Sequence, residues 1–420
     1  MPNLTEAFVQ YLYDKAAEIS PQILERARAC REDTLACTAA GAAKNRGRWE
    51  LLLKRLPGGP AELVGYPETA DAKTAALING FNAHALELDD GQRFAMIHLG
   101  ASVVSAVRAA AAGGGIPDKL VLTGIVMGYE AACRTAIAMQ PSHKNRGYHA
   151  AGTCGTVGAA VGVAFALGFD SRQMKRVLSC AAGSAAGMLE MQEQRSELKP
   201  YNLGRAAMDG LAAAETGLAD FETPEDILGG ERGFFRSFSD AFDVEKLIEN
   251  TEYFEIERIY VKPYASCRHS HSAVEAAIRL HGELDPSEIE SVEVRTYRLG
   301  VKGHDHTRIL GVASAKLSTP YAVAAGLLYG RADLSVFEPL DEAVLRMAER
   351  VRVTEDEALT RESPRKRVAV LRVTLKDGIQ RECRVDYAKG DPENPMSAEE
   401  MQEKIKLLKQ YASGEVIFHE

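Results

Sequence analysis

The stretch 150-AAGTCGTVGAAVGVAFA-166 decides the fold of this chain, because its side chains are almost all small. It lies within a longer region, Ser102 to Ala214, that is rich in Ala and Gly and lacks the alternating β-branched residues of strands. Small side chains on successive helices allow the helix axes to approach closely. The region therefore predicts a compact bundle of many helices with buried central helices.

The composition changes after Asn250, where β-branched residues become frequent. Strands are predicted at 256–264 and 289–297, and a hairpin turning at Asp377-Gly378 is predicted over 367–385. Helices are predicted between these strands, at 270–281 and 314–329. The segment 397-SAEE-400 is a capping box that opens a last helix, which we expect to return to the first domain.

These patterns predict a mainly α protein with a smaller α+β domain. We expect a large all-helical bundle domain made of residues 1–256 and 393–420, and an α+β lid domain made of residues 257–392. A cleft between two such units is the usual place for a ligand.

Composition excludes several classes of protein. The 420 residues carry 50 Lys and Arg against 59 Asp and Glu, a net charge of -9, so we expect no nucleic-acid partner and no anionic membrane surface. The seven cysteines form no CxxC pair, which is typical of a reducing compartment. The N-terminus does not resemble a secretory leader, and no apolar run approaches the roughly 18 residues of a membrane span. We expect a soluble, cytoplasmic protein.

Motifs for common cofactors are missing from the sequence. It contains no GxGxxG after a strand, no GxxxxGK[ST] and no HExxH. The sequence therefore does not indicate a nucleotide cofactor or a zincin-type metal site.

The first segment with chemical potential is 82-NAHALELDDG-91, followed by His98. It places Glu87, Asp89 and Asp90 close to imidazole groups, and such groups are costly to bury unless they are paired or functional. The alternative is that the carboxylates decorate the solvated end of a helix.

Two further segments lie near the small-residue helix. His149 directly precedes that helix and is a candidate general base, although a lone histidine is more often a surface or core residue. Lys199 belongs to a polar segment, residues 192–205, and stands before a helix N-terminus, where it suits a carboxylate ligand. The alternative for this segment is an ordinary connection between helices.

The segment 262-KPYASCRHSH-271 lies at a predicted change from strand to helix. Arg268 offers a planar fork for a carboxylate, whereas Cys267 is either a nucleophile or a small buried thiol. The four histidines of this region leave open a metal site, and these are His269, His271, His304 and His306. Tyr321, one turn inside a helix that opens near Ser314, is a further candidate, although most such tyrosines lie in the core.

Together these segments resemble the MmgE/PrpD family over nearly the whole chain. The resemblance rests on NGFNAHALELDDG with His98, on GYHAAGTCG, on SELKPYNLGRAAMDGLAAA, on KPYASCRHSH and on AKLSTPYAVAAGLL. It implies a large helical domain formed by both chain ends, a smaller α+β lid, a homodimer, and activity without a metal or organic cofactor. Family activities include 2-methylcitrate dehydratase, cis-aconitate decarboxylase and iminodisuccinate epimerase.

The resemblance also implies the site residues. It maps the acidic motif of the family onto Glu87, Asp89 and Asp90, and its following histidine onto His98. A second histidine, a lysine and a lid tyrosine map onto His149, Lys199 and Tyr321. Relatives often have Asp at position 87 and Thr or Ser at position 91, where this chain has Glu87 and Gly91. The decarboxylase lid supplies a histidine where this chain has Cys267.

We therefore predict a cofactor-independent lyase that eliminates water from a small hydroxy-polycarboxylate, similar to 2-methylcitrate dehydratase. In this hypothesis His149 is the base, His98 or Tyr321 is the acid, Asp90 orients a histidine, and Lys199 also acts in catalysis by gripping a carboxylate. The residues expected to contact the substrate are Glu87, Asp89, Lys199, Cys267, Arg268 and His271.

Several alternatives remain open at the level of the sequence. They are an epimerase or isomerase of a dicarboxylate such as iminodisuccinate, a decarboxylase, a metal-dependent hydrolase built on Asp89, Asp90 and the histidine pairs, and a protein that has kept the fold but lost the chemistry.

Overall fold

The computed structural model describes residues 3–55, 58–193 and 196–414. These residues form 18 α-helices, six β-strands and several short 3-10 turns, and 57% of the described residues are helical. The predicted class, mainly α with a smaller α+β part, is confirmed.

Eleven of the described helices precede residue 250, with one short antiparallel ladder between the second and the third. The helices are α1 (Leu4–Ala17), α2 (Pro21–Leu53), α3 (Ala72–His84), α4 (Gly100–Ala111), α5 (Asp118–Met139), α6 (Ser142–Asn145), α7 (Ala150–Ala166), α8 (Ser171–Ser184), α9 (Tyr201–Thr216), α10 (Phe234–Phe238) and α11 (Glu245–Ile248), and the ladder is β1 (Ala61–Glu62) with β2 (Thr69–Ala70).

The helix α7 is the centre of this part of the protein. Each of its 17 residues is buried, and it packs against α4, α5, α8 and α9. A Cβ atom placed on Gly158 would lie 2.5 Å from Cβ of Ala132 and 2.6 Å from the carbonyl oxygen of Gly128, both on α5. Only glycine allows this approach of two helices. The predicted bundle with buried, small-residue central helices is confirmed.

The helix α5 has the length and hydropathy of a membrane span. Within the protein, 83% of its most apolar 18-residue window is buried. Its apolar surface is therefore covered by neighbouring helices, as in a core helix.

The elements after residue 250 build a four-stranded sheet with helices against it. They are α12 (His271–His281), β3 (Ile289–Thr296), α13 (Arg298–Val301), α14 (Val312–Leu317), α15 (Thr319–Tyr329), α16 (Glu342–Ala348), β4 (Val351–Glu355), α17 (Glu357–Glu362), β5 (Ala369–Leu375), β6 (Gln380–Val385) and α18 (Ala398–Ser413). The 3-10 turns of the described chain are Leu189–Gln192, Glu255–Arg258, Arg268–Ser270, Pro286–Glu288 and Leu334–Val336.

The sheet has the strand order β4-β3-β5-β6. The strand β3 is parallel to β4 and antiparallel to β5, which pairs in turn with β6. Val294 of β3 pairs with Val353 and with Leu371, and all three side chains are buried. The helices α12 and α15 pack against each other and against the strands, so that a second core lies between the sheet and these helices.

Most predicted elements of this part are confirmed, and one is wrong. The strand at 289–297 and the hairpin around Asp377-Gly378 are present. The expected strand at 256–264 is absent from the sheet. Its apolar residues Ile256 and Ile259 are buried against the helices, and Tyr260 makes only an isolated bridge to Gly91. The segment 256–264 is therefore a buried connection, and its buried apolar residues gave the sequence the pattern of a strand.

The last helix connects the two ends of the chain. It begins with the predicted capping box of Ser397 and Glu400. It packs against α2, where Nζ of Lys404 lies 2.6 Å from Oδ1 of Asp33 and donates to the carbonyl oxygen of Leu88. The predicted division into two domains stays a prediction.

Candidate active site

A single cleft gathers side chains from distant parts of the chain, and we call it the cationic cleft. It holds about 620 Å³ of empty space. Its charged or titratable lining residues are Lys144, Lys199, Arg268, Arg367, His98, His149, His269, His304, Cys267, Tyr148 and Tyr260. Among the described residues that line it there is no Asp or Glu, so the cleft attracts anions.

Glu87 lies beside this cleft and neutralises part of its positive charge. It has a left-handed backbone conformation with φ of 57° and is buried. Its carboxylate accepts from Nζ of Lys199 and, at 2.7 Å, from Nζ of Lys262. Burial alone would raise the pKa of Glu87, but the two ammonium groups hold that pKa well below its usual range. The lysines are thereby fixed in place before any substrate binds.

Asp89 holds a pair of histidines. Both of its carboxylate oxygens lie 2.9 Å from Nδ1 of His84, and Oδ2 lies 3.5 Å from Nδ1 of His98. The rings of His84 and His98 are tilted, with centroids 4.6 Å apart. Burial opposes ionisation of Asp89, but His84 and His98 lower its pKa below the usual range. Burial also lowers the pKa of His98, so this ring is neutral near pH 7.

The carboxylate of Asp90 makes its hydrogen bonds to Tyr129 and to the backbone at the start of α4. It accepts from the hydroxyl of Tyr129 at 2.6 Å and from the backbone amides of Leu99 and Gly100 at the start of α4. It is the backbone carbonyl of Asp90 that accepts from Nδ1 of His98, at 2.7 Å. The expected orientation of a histidine by the side chain of Asp90 is therefore corrected: the carboxylate that holds histidine rings is that of Asp89.

His149 precedes α7 and lines the cationic cleft. Nδ2 of Asn202 lies 3.1 Å from Nδ1 of His149 and also donates to the carbonyl oxygen of Met188. A carbonyl only accepts, so the amide nitrogen of Asn202 faces both partners and Nδ1 of His149 is an acceptor. Burial and the positive charge of Lys199 hold the pKa of His149 well below its usual range. The neutral ring therefore carries its proton on Nε2.

The tautomer of His98 is the opposite one. Its Nδ1 donates to the carbonyl oxygen of Asp90, and this leaves a lone pair on Nε2. The two neutral histidines of the cleft thus differ in function: His98 is able to accept a proton at Nε2, and His149 is able to donate one.

Arg268 reaches the cleft from the 3-10 turn that precedes α12. Its guanidinium lies 2.7 Å from Oδ1 of Asp391, donates to the carbonyl oxygen of Lys389, and stacks over the ring of Tyr260 at 4.7 Å. Nδ1 of His271 accepts from Arg268 at 2.8 Å. His271 is fully buried and does not line the cleft, so it positions Arg268 and is not placed to touch a ligand.

Cys267 and His304 meet at the cleft wall. Sγ of Cys267 lies 3.8 Å from Nε2 of His304, whose Nδ1 donates to the carbonyl oxygen of Leu317. Burial alone would raise the pKa of Cys267, but the imidazole of His304 outweighs burial and lowers it to about 6. The thiol similarly raises the pKa of His304 against the effect of burial.

Tyr321 lies away from the cleft. Its hydroxyl donates to the carbonyl oxygen of Val336 at 2.7 Å and accepts from the backbone amide of Asp341 at 2.9 Å. Its ring is fully buried against Phe337. The structure therefore places Tyr321 in the second core, where burial raises its pKa to about 12.

The structure thus brings together most of the residues predicted from the sequence. Lys199, His98, His149, Cys267 and Arg268 line one cleft, and Glu87 and Asp89 lie directly behind it. Residues that were not predicted as site members are His84, Lys144, Lys262, Asn202 and Arg367, and His269 and His304 were considered only as possible metal ligands. Lys262 and His269 stand in the quoted KPYASCRHSH segment, whereas nothing near Arg367 marks it. Gln194 and Arg195 of the predicted polar segment lie outside the described residues.

The four histidines considered for a metal site do not converge on one point: His269 and His304 lie together in the cleft, with ring centroids 5.2 Å apart, but the other two are bonded elsewhere. His271 bonds Arg268 and the carbonyl oxygen of Ser266, and His306 bonds the carbonyl oxygen of Ser314. In the described part of the chain, the group with ligand atoms close enough for one ion is His84, Asp89 and His98, within 4.8 Å of one another. Nζ of Lys262 lies 3.9 Å from the carboxylate of Asp89 and would repel a cation there. These residues fit a hydrogen-bonded network better than a metal centre.

Two family models match the chain. The MmgE/PrpD N-terminal domain matches residues 6–247, and the MmgE/PrpD C-terminal domain matches residues 264–416. These matches include the residues named above as lining the cleft, except Tyr260, which lies between the two matched ranges.

Curated relatives support the same assignment. A cis-aconitate decarboxylase of Aspergillus terreus is 25% identical over 93% of this chain and 86% of its own length. A cis-aconitate decarboxylase-like protein of Aspergillus oryzae is 25% identical over 80% of this chain and 76% of its own. The human cis-aconitate decarboxylase is 22% identical over 56% of this chain and 50% of its own length. The relatives are lyase-type enzymes, and the chain belongs to the MmgE/PrpD family.

Proposed function

We propose that the protein is a cofactor-independent lyase that removes a proton α to a carboxylate and eliminates water from a small hydroxy-polycarboxylate. The observation that carries this proposal is the lining of the cationic cleft. Lys144, Lys199, Arg268 and Arg367 line it, without a carboxylate among its described residues. Four cations facing one small volume suit a ligand with two or three carboxylates.

The same cations supply the main catalytic effect. Loss of an α-proton places a second negative charge on a carboxylate that is already ionised, and this dianion must be stabilised. Lys199 and Arg268 are held by Glu87 and Asp391, so they need no reorganisation when charge develops. A preorganised donor of this kind contributes about 3–4 kcal/mol to the transition state.

The histidines supply the proton transfers. Nε2 of His98 accepts the α-proton, and the Nε2–H of His149 protonates the departing hydroxyl, which leaves as water. This assignment reverses the roles expected from the sequence, where His149 was the base, because the hydrogen bond from Asn202 places the proton of His149 on Nε2. General acid–base groups contribute about 10²–10⁴-fold each.

A second candidate is decarboxylation of an unsaturated tricarboxylate, because the curated relatives are named for that reaction. The cleft is compatible with it, since loss of carbon dioxide also leaves a carbanion beside a carboxylate. The presence of Cys267 at the position where the decarboxylase lid supplies a histidine favours dehydration over this candidate.

One experiment separates these reactions. The protein is incubated in deuterated water with a panel of hydroxy-tricarboxylates and with cis-aconitate, and the products are followed by proton NMR. Dehydration produces new olefinic signals and an ultraviolet absorbance, decarboxylation releases carbon dioxide, and epimerisation shows only α-deuteration with changed optical rotation. Lys199→Met is the inactive control. If no acid of the panel reacts and none raises the melting temperature of the protein, the proposal is contradicted.

Further expectations accompany this function. We propose a cytoplasmic homodimer that acts without metal. Light scattering of the purified protein measures the oligomeric state, and dialysis against a chelator is expected to leave turnover unchanged.

A further inference from the structure

The cationic cleft contains a contact that the dehydration mechanism does not use, between Cys267 and His304. Sγ of Cys267 and Nε2 of His304 are 3.8 Å apart, and both residues line the cleft. Nδ1 of His304 donates to the carbonyl oxygen of Leu317 at 2.9 Å. This bond directs Nε2 toward the sulfur, as in pairs where a histidine activates a thiol.

The surroundings favour a thiolate in this position. The other charged or titratable groups around Cys267 include Glu87, Lys144, Lys199, Lys262, Tyr260, Tyr297, Arg268, His269 and Arg367. Burial holds the pKa of His269 well below its usual range, so that ring is neutral near pH 7. Burial raises the pKa of both tyrosines, so they are neutral near pH 7, and Glu87 is already paired with two lysines. The positive groups therefore prevail over the single carboxylate. Cys154 gives the contrast: its thiol is buried beside the hydroxyl of Thr153, and burial raises its pKa to about 12.

We propose that Cys267 and His304 form a thiolate–imidazolium pair that acts as a second proton-transfer group in the cleft. This inference rests on the proposed function for its substrate, an α-hydroxy or α-amino polycarboxylate. The thiolate takes the α-proton to form an S–H bond, and the C–H electron pair moves into the adjacent carboxylate as an enediolate held by Lys199 and Arg268. The S–H proton exchanges with water, and the thiol then returns a solvent-derived proton to that carbon: the S–H bond breaks, the enediolate electron pair forms the new C–H bond, and the thiolate is restored. The net result is exchange of the α-proton with solvent, without an added oxidant or reductant.

The pair of Cys267 and His304 would give the site a second activity besides elimination, namely proton exchange at the α-carbon. His98 and His149 belong to the helical part of the chain, whereas Cys267 and His304 come from the part after residue 250. An enediolate in the cleft therefore meets proton-transfer groups from both parts. Such an arrangement supports isomerase-type proton transfer on a substrate that cannot lose water.

The first test measures the thiolate without using activity. The rate of alkylation of Cys267 by iodoacetamide is followed from pH 4.5 to 9.5, with the cysteine identified by peptide mass spectrometry. We expect a midpoint near the pKa of about 6 and a shift in His304→Gln toward the value of roughly 8.5 that is typical of free thiols. Propane-1,2,3-tricarboxylate is expected to slow the alkylation of wild-type Cys267. A wild-type midpoint of 8 or above would overturn the proposal.

The second test measures proton transfer. Because His98 also removes an α-proton in the proposed mechanism, the test uses His98→Gln as its background, where adding Cys267→Ser is expected to slow the remaining α-deuteration of a bound acid by about 10²-fold, while the acid still raises the melting temperature. Cys180→Ser, on α8 and outside the cleft, is the matched control and is expected to leave the exchange rate unchanged. An exchange rate in His98→Gln that is unchanged by adding Cys267→Ser would overturn the proposal. If no acid binds the wild type, the proposed function fails, and the alkylation profile alone then decides whether the ion pair exists.

Discussion

Nζ of Lys262 lies 2.7 Å from Oε2 of Glu87, and both side chains are almost completely removed from solvent. The partners are 175 residues apart in the chain, and their contact joins the acidic segment before α4 to the segment that follows the helical part. A buried charge without its partner is costly. This pair therefore links the stability of the protein to the assembly of its site.

Glu87→Gln tests that link. Removing the negative charge leaves the buried Lys262 with only the more distant carboxylate of Asp89, at 3.9 Å, and we expect a loss of about 3–5 kcal/mol in the free energy of unfolding at pH 7, measured by urea denaturation. Glu342→Gln removes one partner of an exposed pair with Arg346 and is expected to change the stability little.

The same variant gives a pH dependence with a defined sign. Because the pKa of Glu87 is lowered in the folded state, its contribution is fully present above the unfolded value of 4.5 and is lost as the pH falls toward the folded pKa. The difference between wild type and Glu87→Gln should therefore be largest above pH 4.5 and shrink on acidification. A difference that stays constant between pH 7 and pH 3 would show that the lysines do not lower the pKa of Glu87 in the folded state.

Asn202→Asp tests the tautomer of His149. A carboxylate at this position accepts from Nδ1, so it should move the proton of His149 from Nε2 to Nδ1 and raise the pKa of the ring. Nitrogen NMR of the histidine ring is expected to show the change, and turnover should fall by about 10²–10⁴-fold. An unprotonated Nε2 in the wild type would contradict the role of His149 as proton donor.

Tyr321→Phe separates a structural role from a catalytic one. The buried hydroxyl bonds the carbonyl oxygen of Val336 and the amide of Asp341, and its loss is expected to cost about 1–3 kcal/mol in the free energy of unfolding. Turnover of the folded variant should be unchanged, since the hydroxyl does not reach the cleft. A large fall in turnover at saturating substrate would restore the acid role expected from the sequence.

Gly158→Ala tests the close packing of α5 against α7. The added methyl group would meet Cβ of Ala132 at 2.5 Å, and we expect a loss of about 1–3 kcal/mol, seen as a lower melting temperature. Gly183→Ala on α8 is the matched control, because a Cβ there meets no atom within 4 Å. That variant should be as stable as the wild type or slightly more stable, since alanine favours the helix.

Local chemistry explains what could be predicted about the fold. The small residues of 150–166 specify a buried helix, Asp377-Gly378 specifies a tight turn, and Ser397 with Glu400 specifies a helix start, because each effect acts over a few neighbouring residues. The segment at 256–264 shows the limit of such reasoning, since its apolar residues face helices that are distant in the sequence.

The amino-acid sequence by itself determined the helical class, the hairpin, the last helix and the segments from which the site is built. Only the tertiary structure decided that Glu87 lies between Lys199 and Lys262, that Asn202 sets the proton of His149, and that Tyr321 turns into a core. Protonation and hydrogen bonding depend on burial and on partners that here lie 15 to 175 residues away in the chain, and packing brings these partners into contact.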